Sequence, residues 1–264
     1  MRLFPAFLMF LILAAPALAQ EDVAAPPAAA VPVQAVEAQK LDAPVVLELF
    51  SSQACVFCPR ADTLFGDLVQ NDNVIGLACH IDYFNVRGNS LAWTFCTKRQ
   101  SAYGKKLRAG PGYTPQMIIN GLYDVIGYHF EDILETMRRA AKQPPAPIII
   151  KALEKKNVYE ISLPGLDEAA IASLEMVFFD KPHMVKIAGG ANRGKSVTYH
   201  NIVSRIDPMM EWDGQARVMR IKAVLAGSHK GFAILAPDPV TGRILAAGQY
   251  KRPLETAGPP RRGP

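Results

Sequence analysis

Cysteine is scarce in this chain of 264 residues, with four in all, and tryptophan is scarcer, with two. A four-cysteine zinc site would consume every thiol, because only one C-x-x-C pair, Cys55 and Cys58, is present. Past the N-terminus no stretch approaches the ~20 apolar residues that a membrane span needs. A strong excess of one charge is also missing. Net charge is +5 and the pI about 9.0, but the tail supplies Lys251, Arg252, Arg261 and Arg262 against Glu255. The remainder is close to neutral, which argues against a nucleic-acid partner. What is present, 50% hydrophobic and 20% charged residues, suits a globular protein.

The N-terminus has one positive charge at Arg2, an apolar stretch from Leu3 to Ala15, and Ala17-Leu18-Ala19 before Gln20. That pattern predicts a signal peptide over residues 1–19, cut near Ala19, and a periplasmic or secreted product without stable membrane insertion. Residues 20–43 are rich in Ala, Pro and Val and read as a disordered tether. A second break falls at Gln143-Pro144-Pro145-Ala146-Pro147, giving folded units at 44–143 and 147–250 and a basic, Pro-rich, disordered tail at 251–264.

In the first unit, Val45–Phe50 is a short apolar strand. Ala61, Leu64, Phe65, Leu68 and Val69 recur at helical spacing after it, and Val74–Ile81 forms a second apolar strand. Two such strands joined by a helix predict a parallel βαβ unit. Leu91–Leu107 reads as a helix. Residues Thr114 to Gly127 read as a hairpin turning at Asn120-Gly121, and Glu131–Lys142 as a last helix. The order β-α-β-α-β-β-α is the thioredoxin arrangement.

The C-x-x-C lies between the first strand and the first helix. A sulfur at a helix N-terminus sits among free N–H groups that stabilise its thiolate. Cys55, the more N-terminal and taken to be the more exposed, is the candidate nucleophile, and Cys58 the resolving thiol. The competing reading is a permanent loop-stiffening disulfide. Thr114-Pro115 enters a strand where no ladder donor is needed. In a thioredoxin-like fold this proline is cis and, with Thr114, would bind an incoming polypeptide. Glu48 and His80 are candidates for tuning the pair. Cys79 and Cys96 are expected to form a structural disulfide, worth ~3 kcal/mol in the chain-entropy picture. Two buried thiols, or a relay to Cys55 and Cys58, remain the alternatives.

The segments Glu48 to Asp62, Cys79 to Phe84 and Tyr113 to Gly121, with Asn192-Arg193-Gly194 and His200 to Val203, resemble a secreted, thioredoxin-like bacterial family of unknown function. The resemblance runs from about Ala43 to Tyr250 and implies a thioredoxin-like domain followed by a β-rich part, with no settled substrate. One departure is Tyr83-Phe84-Asn85, where the family often has Tyr-Trp-Asp.

The second unit shows short strands at Ile148–Ala152, Val158–Leu163, Leu174–Phe179, Met184–Ile187, Lys195–Val203, Arg217–Ala223, Gly231–Ala236 and Ile244–Tyr250. Their spacing predicts a sandwich-like domain for recognition or docking. Asn192, Arg193, His200 and Asn201 are its functional candidates, although turn chemistry and strand polarity are the favoured readings of them. Three functions compete. The first is an exported thiol–disulfide oxidoreductase with no cofactor, acting on protein thiols or disulfides with a redox partner protein. The second is a copper metallochaperone using Cys55, Cys58 and His80. The third is a non-catalytic binding module.

Overall fold

The computed structural model describes residues 43–253 except 85–90 and 167–170. The expected signal peptide, nearly all of the tether and the tail beyond Pro253 lie outside the described residues. Strand β1 (Val45–Ser51) leads through the cysteine loop into helix α1 (Cys58–Leu68), then β2 (Val74–His80) and α2 (Thr94–Lys106). Hairpin β3 (Gln116–Ile119) and β4 (Tyr123–Ile126) precede α3 (Phe130–Ala140). These strands form one sheet in the order β2-β1-β3-β4, with β1 parallel to β2 and antiparallel to β3.

The second half is all strand. The segments β5 (Ala146–Pro147), β6 (Ile149–Ala152), β7 (Val158–Leu163) and β8 (Ala172–Asp180) come first. They are followed by β9 (His183–Lys186), β10 (Ser196–Tyr199), β11 (Val203–Trp212), β12 (Arg217–Lys222), β13 (His229–Pro237) and β14 (Ile244–Lys251). A five-stranded sheet runs β11-β8-β13-β14-β5, a three-stranded sheet runs β12-β7-β6, and β9 pairs with β10.

Three apolar clusters join these layers. One face of the first sheet packs Leu47, Leu49 and Met117 against Ala61, Leu64 and Phe65 of α1 and Ile133 and Met137 of α3. Val197 and Tyr199 of β10 enter the same cluster. The opposite face, with Val46, Phe50 and Ile118, meets Val177, Phe179, Ala233 and Leu235 of the five-stranded sheet. The outer face of that sheet packs Phe178 and Phe232 against Tyr159 and Ile161 of β7. The two halves thus share two of the three clusters, and β1 is buried along its whole length.

Two elements differ from the sequence reading. The strand expected over Lys195–Val203 is split at His200-Asn201, where Asn201 adopts a left-handed φ of 48°. The ten-residue β11 that follows is masked in the sequence by Pro208, which an edge strand tolerates, and by register shifts on either side of it. In addition, Lys251 ends β14 and the Arg252 guanidinium donates to the carbonyls of Leu225 and Ala226. Those two residues belong to the fold rather than to the tail.

Charge enters the buried space between the sheets with Glu48, Arg99 and Glu175. Glu48 alternates with Val46 and Phe50 and faces that space, where Arg99 of α2 and the Tyr103 hydroxyl both donate to its carboxylate. The same guanidinium reaches Glu175 of β8 at 2.7 Å. Removing the cation leaves Glu48 with the Tyr103 hydroxyl alone and both largely buried carboxylates without their counter-charge. Arg99→Ala is therefore expected to lower unfolding free energy by about 3–5 kcal/mol in urea titrations. A loss below about 1 kcal/mol, the scale of an exposed pair, would contradict this account of the network.

Candidate functional site

The site lies at the end of β1, where the chain turns from Ser51 into α1. Cys58 is the first helical residue and Pro59 follows it, in the turn where a missing N–H costs nothing. Cys55 precedes the helix. Its N–H donates to Ser52 O at 3.2 Å, and the Cys58 N–H donates to Cys55 O at 3.2 Å, which closes the turn. Both sulfurs are thiols here.

Cys55 is not the exposed residue that its position suggests, with only 4% of its surface accessible. The exposed residues are Val56 and Phe57, at 44% and 41%. Phe57 stacks on Tyr128, which also carries the Arg60 guanidinium over its ring. Phe84 is exposed too, and its carbonyl accepts the Ser52 hydroxyl at 2.8 Å. Apolar side chains thus ring a sulfur set just below the surface.

The two thiols are pushed apart in acidity. The Cys58 side chain hydrogen-bonds to the Cys55 sulfur, with help from Thr114 and the Phe57 and Cys58 N–H groups. This outweighs burial and lowers the Cys55 thiol to about 6. Burial pushes the Cys58 thiol up, and its bond to Cys55 and the nearby Asp62 charge raise it further. Thr114-Pro115 is a cis peptide, and the Cys55 thiol lies 3.3 Å from Thr114 O, as donor while protonated. Gln100 of α2 holds this segment by donating to Tyr113 O at 2.7 Å and to the Gln116 side chain at 2.8 Å. Gln100 and Tyr83 also line an adjoining cleft of about 470 Å³.

Of the tuning candidates, Glu48 is not at the pair, since Arg99 and Tyr103 occupy its carboxylate on the other side of the sheet. The buried acid at the pair is Asp62. It sits four residues after Cys58, so both point from one face of α1. Ser51 donates its hydroxyl to Asp62 at 3.0 Å. Burial raises the Asp62 carboxyl to about 8, and the Cys55 charge adds to that. The signal was available in the sequence: a lone carboxylate on the apolar face of the helix, one turn past the second cysteine.

His80 is near this acid, with Nε2 3.8 Å from Asp62 Oδ1 and its ring edge-on to Tyr199. Burial lowers it to about 3, so it is neutral and the contact is not an ion pair. Among the described residues no three His, Cys, Asp or Glu side chains are arranged to hold a metal ion, so Cys55, Cys58 and His80 do not assemble as the copper set. Cys79 and Cys96 form a disulfide that ties the end of β2 to α2. Asp82 accepts hydrogen bonds from Thr94 and Thr97 at the start of α2.

The second-half candidates also have places. Asn201 donates its side-chain amide to Gly76 O at 2.9 Å and accepts the Ala78 N–H, fastening β2. His200 lies against Gly66 of α1. Arg193 is exposed. Asn192 is fully buried and donates to the carbonyls of Gln53 and Cys55.

Residues 46–235 match the family described as a protein of unknown function, DUF1223. Nothing among curated proteins matches the chain. The crystal structure of a structural-genomics target from Agrobacterium tumefaciens is 27% identical, with a TM-score of 0.68, covering 80% of this chain and 96% of its own. HBP35 of Porphyromonas gingivalis, 15% identical with a TM-score of 0.53, covers 85% of this chain and 79% of its own and is alike in fold alone.

The Asp62 proton is linked to stability with a definite sign. The unfolded chain releases it near pH 4 and the folded chain only at about 8, so ionising the buried group costs folding free energy. That cost starts near pH 4, grows with pH and levels off above 8. Asp62→Asn, which still accepts from Ser51, escapes it. The urea midpoint of the Asn variant should therefore gain on the parent steadily between pH 5 and 8.5. A difference that stays flat with pH would contradict the burial of a titrating carboxyl here.

Proposed function

The chain belongs to the DUF1223 family, and we propose that it is an exported thiol–disulfide oxidoreductase whose Cys55 and Cys58 exchange with polypeptide thiols or disulfides. The observation that carries this reading is the split acidity of the pair. A low thiol at the mouth accepts a hydrogen bond from a high thiol beneath it, with a buried acid one turn further in. The element order and the sheet order β2-β1-β3-β4 support a thioredoxin-like first half. Export rests on the N-terminal pattern, and the Cys79–Cys96 disulfide is in keeping with an oxidising compartment. Among the described residues no helix is long and apolar enough to cross a membrane.

The chemistry follows from the acidities. The Cys55 thiolate attacks one sulfur of a client disulfide. That S–S bond breaks, and the other client sulfur leaves as a thiolate, which takes a proton from solvent. Asp62 in its ionised form, accessible because it titrates at about 8, takes the Cys58 proton, and the Cys58 thiolate attacks the Cys55 sulfur. The bond between Cys55 and the client breaks, and the second client thiolate departs. The client disulfide has been reduced to two thiols and the Cys pair oxidised to a disulfide. Run backward, the oxidised pair oxidises a client dithiol, so the redox partner protein sets the direction. A carboxyl that titrates near ambient pH suits the proton step.

The test is insulin reduction by the parent, Cys55→Ser and Asp62→Asn. The serine variant should be inactive. Asp62→Asn should be slower by about 100-fold or more, the usual scale of a general acid–base group, and should accumulate a mixed disulfide at Cys55. Equal activity of parent and Cys55→Ser would eliminate the reading. Stoichiometric copper retention by the reduced protein, without reductase activity, would replace it with metal transfer.

A further inference from the structure

The all-strand half reaches the cysteine loop from the turn between β9 and β10 and from Tyr199 of β10, which hydrogen-bonds to Gln53. Asn192 lies in the turn between β9 and β10, and none of its surface is exposed. Its amide nitrogen donates to Gln53 O at 3.1 Å and to Cys55 O at 2.6 Å, spanning 139 and 137 residues of sequence. Its own oxygen accepts the Lys195 ammonium at 2.9 Å. Gly190 brings the turn in close. It has a left-handed φ of 77°, and a Cβ there would lie 3.0 Å from Ala54. The turn is held from behind by β10, whose Val197 and Tyr199 are buried in the cluster beneath α1.

From this we infer that Asn192 is a positioning residue of the Cys55 thiolate, and that the C-terminal half is built into the redox centre. The inference rests on the oxidoreductase reading and assigns to this half a part in the chemistry itself. Its physical content is geometric. A turn of the 52–58 type has carbonyls and N–H groups that can rotate toward or away from the sulfur. Asn192 fixes two carbonyls outward by hydrogen-bonding them. That leaves the Phe57 and Cys58 N–H groups directed at the Cys55 sulfur, where they favour the charged form. Without the amide, the Gln53 and Cys55 carbonyls each lose a donor, the Cys55 carbonyl keeping only the Cys58 N–H, and the negative end of a peptide dipole can turn toward the thiolate. Asparagine suits this role because it supplies two donors and no charge.

The titratable and charged groups around the pair are Cys58 and Asp62 of α1, Tyr83 after β2, neutral His80 at the end of β2, Tyr199 of β10, and Lys195 behind Asn192. Asn192→Ala leaves Cys58, Asp62 and Tyr83 as they are and takes from Lys195 only its bond to the Asn192 oxygen. Asn192→Asp has the same shape but has lost the two donors. It turns a carboxylate toward two carbonyl oxygens at constant volume and adds a negative charge that also disfavours the thiolate, so Asn192→Ala is the variant that isolates the hydrogen bonds.

The measurement is the pH dependence of Cys55 alkylation by iodoacetamide in the full chain, read by peptide mass. It reports thiolate population without any redox client. The parent should titrate near pH 6. Both Asn192 variants should titrate about one unit higher, roughly a tenfold loss of thiolate below the midpoint. Asn201→Ala, which removes a buried bond to Gly76 O, is the control for general loosening. It should lower thermal stability and leave the Cys55 midpoint in place. Midpoints unchanged in both Asn192 variants, with a parent near 6, would overturn the positioning role and spare the oxidoreductase reading. An equal shift in Asn201→Ala would reduce the role to general stability. A parent titrating near 8.5 would sink both.

Discussion

Both faces of β2, β1 and β3 are kept from water, one by α1 and α3 and the other by α2 and the five-stranded sheet. Strand β1, in the middle, has no exposed residue. Every polar group that this strand carries must therefore find its partner inside the protein. Glu48 does so through Arg99 and Tyr103, and Ser51 through Asp62. The Val46 N–H donates to the Asn120 side chain at 2.8 Å. The C-terminal half is thus one of the two walls of the central sheet, and it supplies Glu175 to the charge network within that wall.

The site sits where this dry interior ends. Strand β1 stops at Ser51, and α1 starts at Cys58. The residues between them meet the Thr114-Pro115 segment on one side and the Asn192 turn on the other. Burial at this junction pushes three acids up, and hydrogen bonds reverse it at one of them. Cys58 and Asp62 have little solvation and keep their protons, whereas Cys55 gains enough donors to release its own. The same desolvation makes His80 neutral and so removes it as a competing charge. Redox poise then follows, because a stabilised thiolate favours the reduced form and makes the disulfide more oxidising.

Much of this was legible in the sequence, and the rest was hidden for physical reasons. The cysteine pair and its resolving thiol could be read from a strand-to-helix junction, since spacing and local chemistry specify them. Glu48 could be read as buried from its alternation with Val46 and Phe50. Its partner could not, because Arg99 arrives from a helix 51 residues away. Asp62 was readable in principle, one turn after Cys58 on an apolar face, where a lone carboxylate has no local partner but Ser51. Asn192 looked like a turn residue and is one. What it touches is set by long-range packing that no local pattern encodes. Strand β11 was hidden by Pro208, which sits harmlessly on a sheet edge.

The central claim is that Cys55 and Cys58 form an exchangeable couple, poised by a stabilised thiolate, and not a loop staple. The reduction potential of this pair, measured against glutathione with Cys79 and Cys96 left oxidised, tests it most directly. The account predicts a value well above about −300 mV, in the range of exchanging oxidoreductases, and more oxidising still than a pair with an ordinary thiol near 8.5. A value below about −300 mV would mark the pair as a structural disulfide and contradict the account.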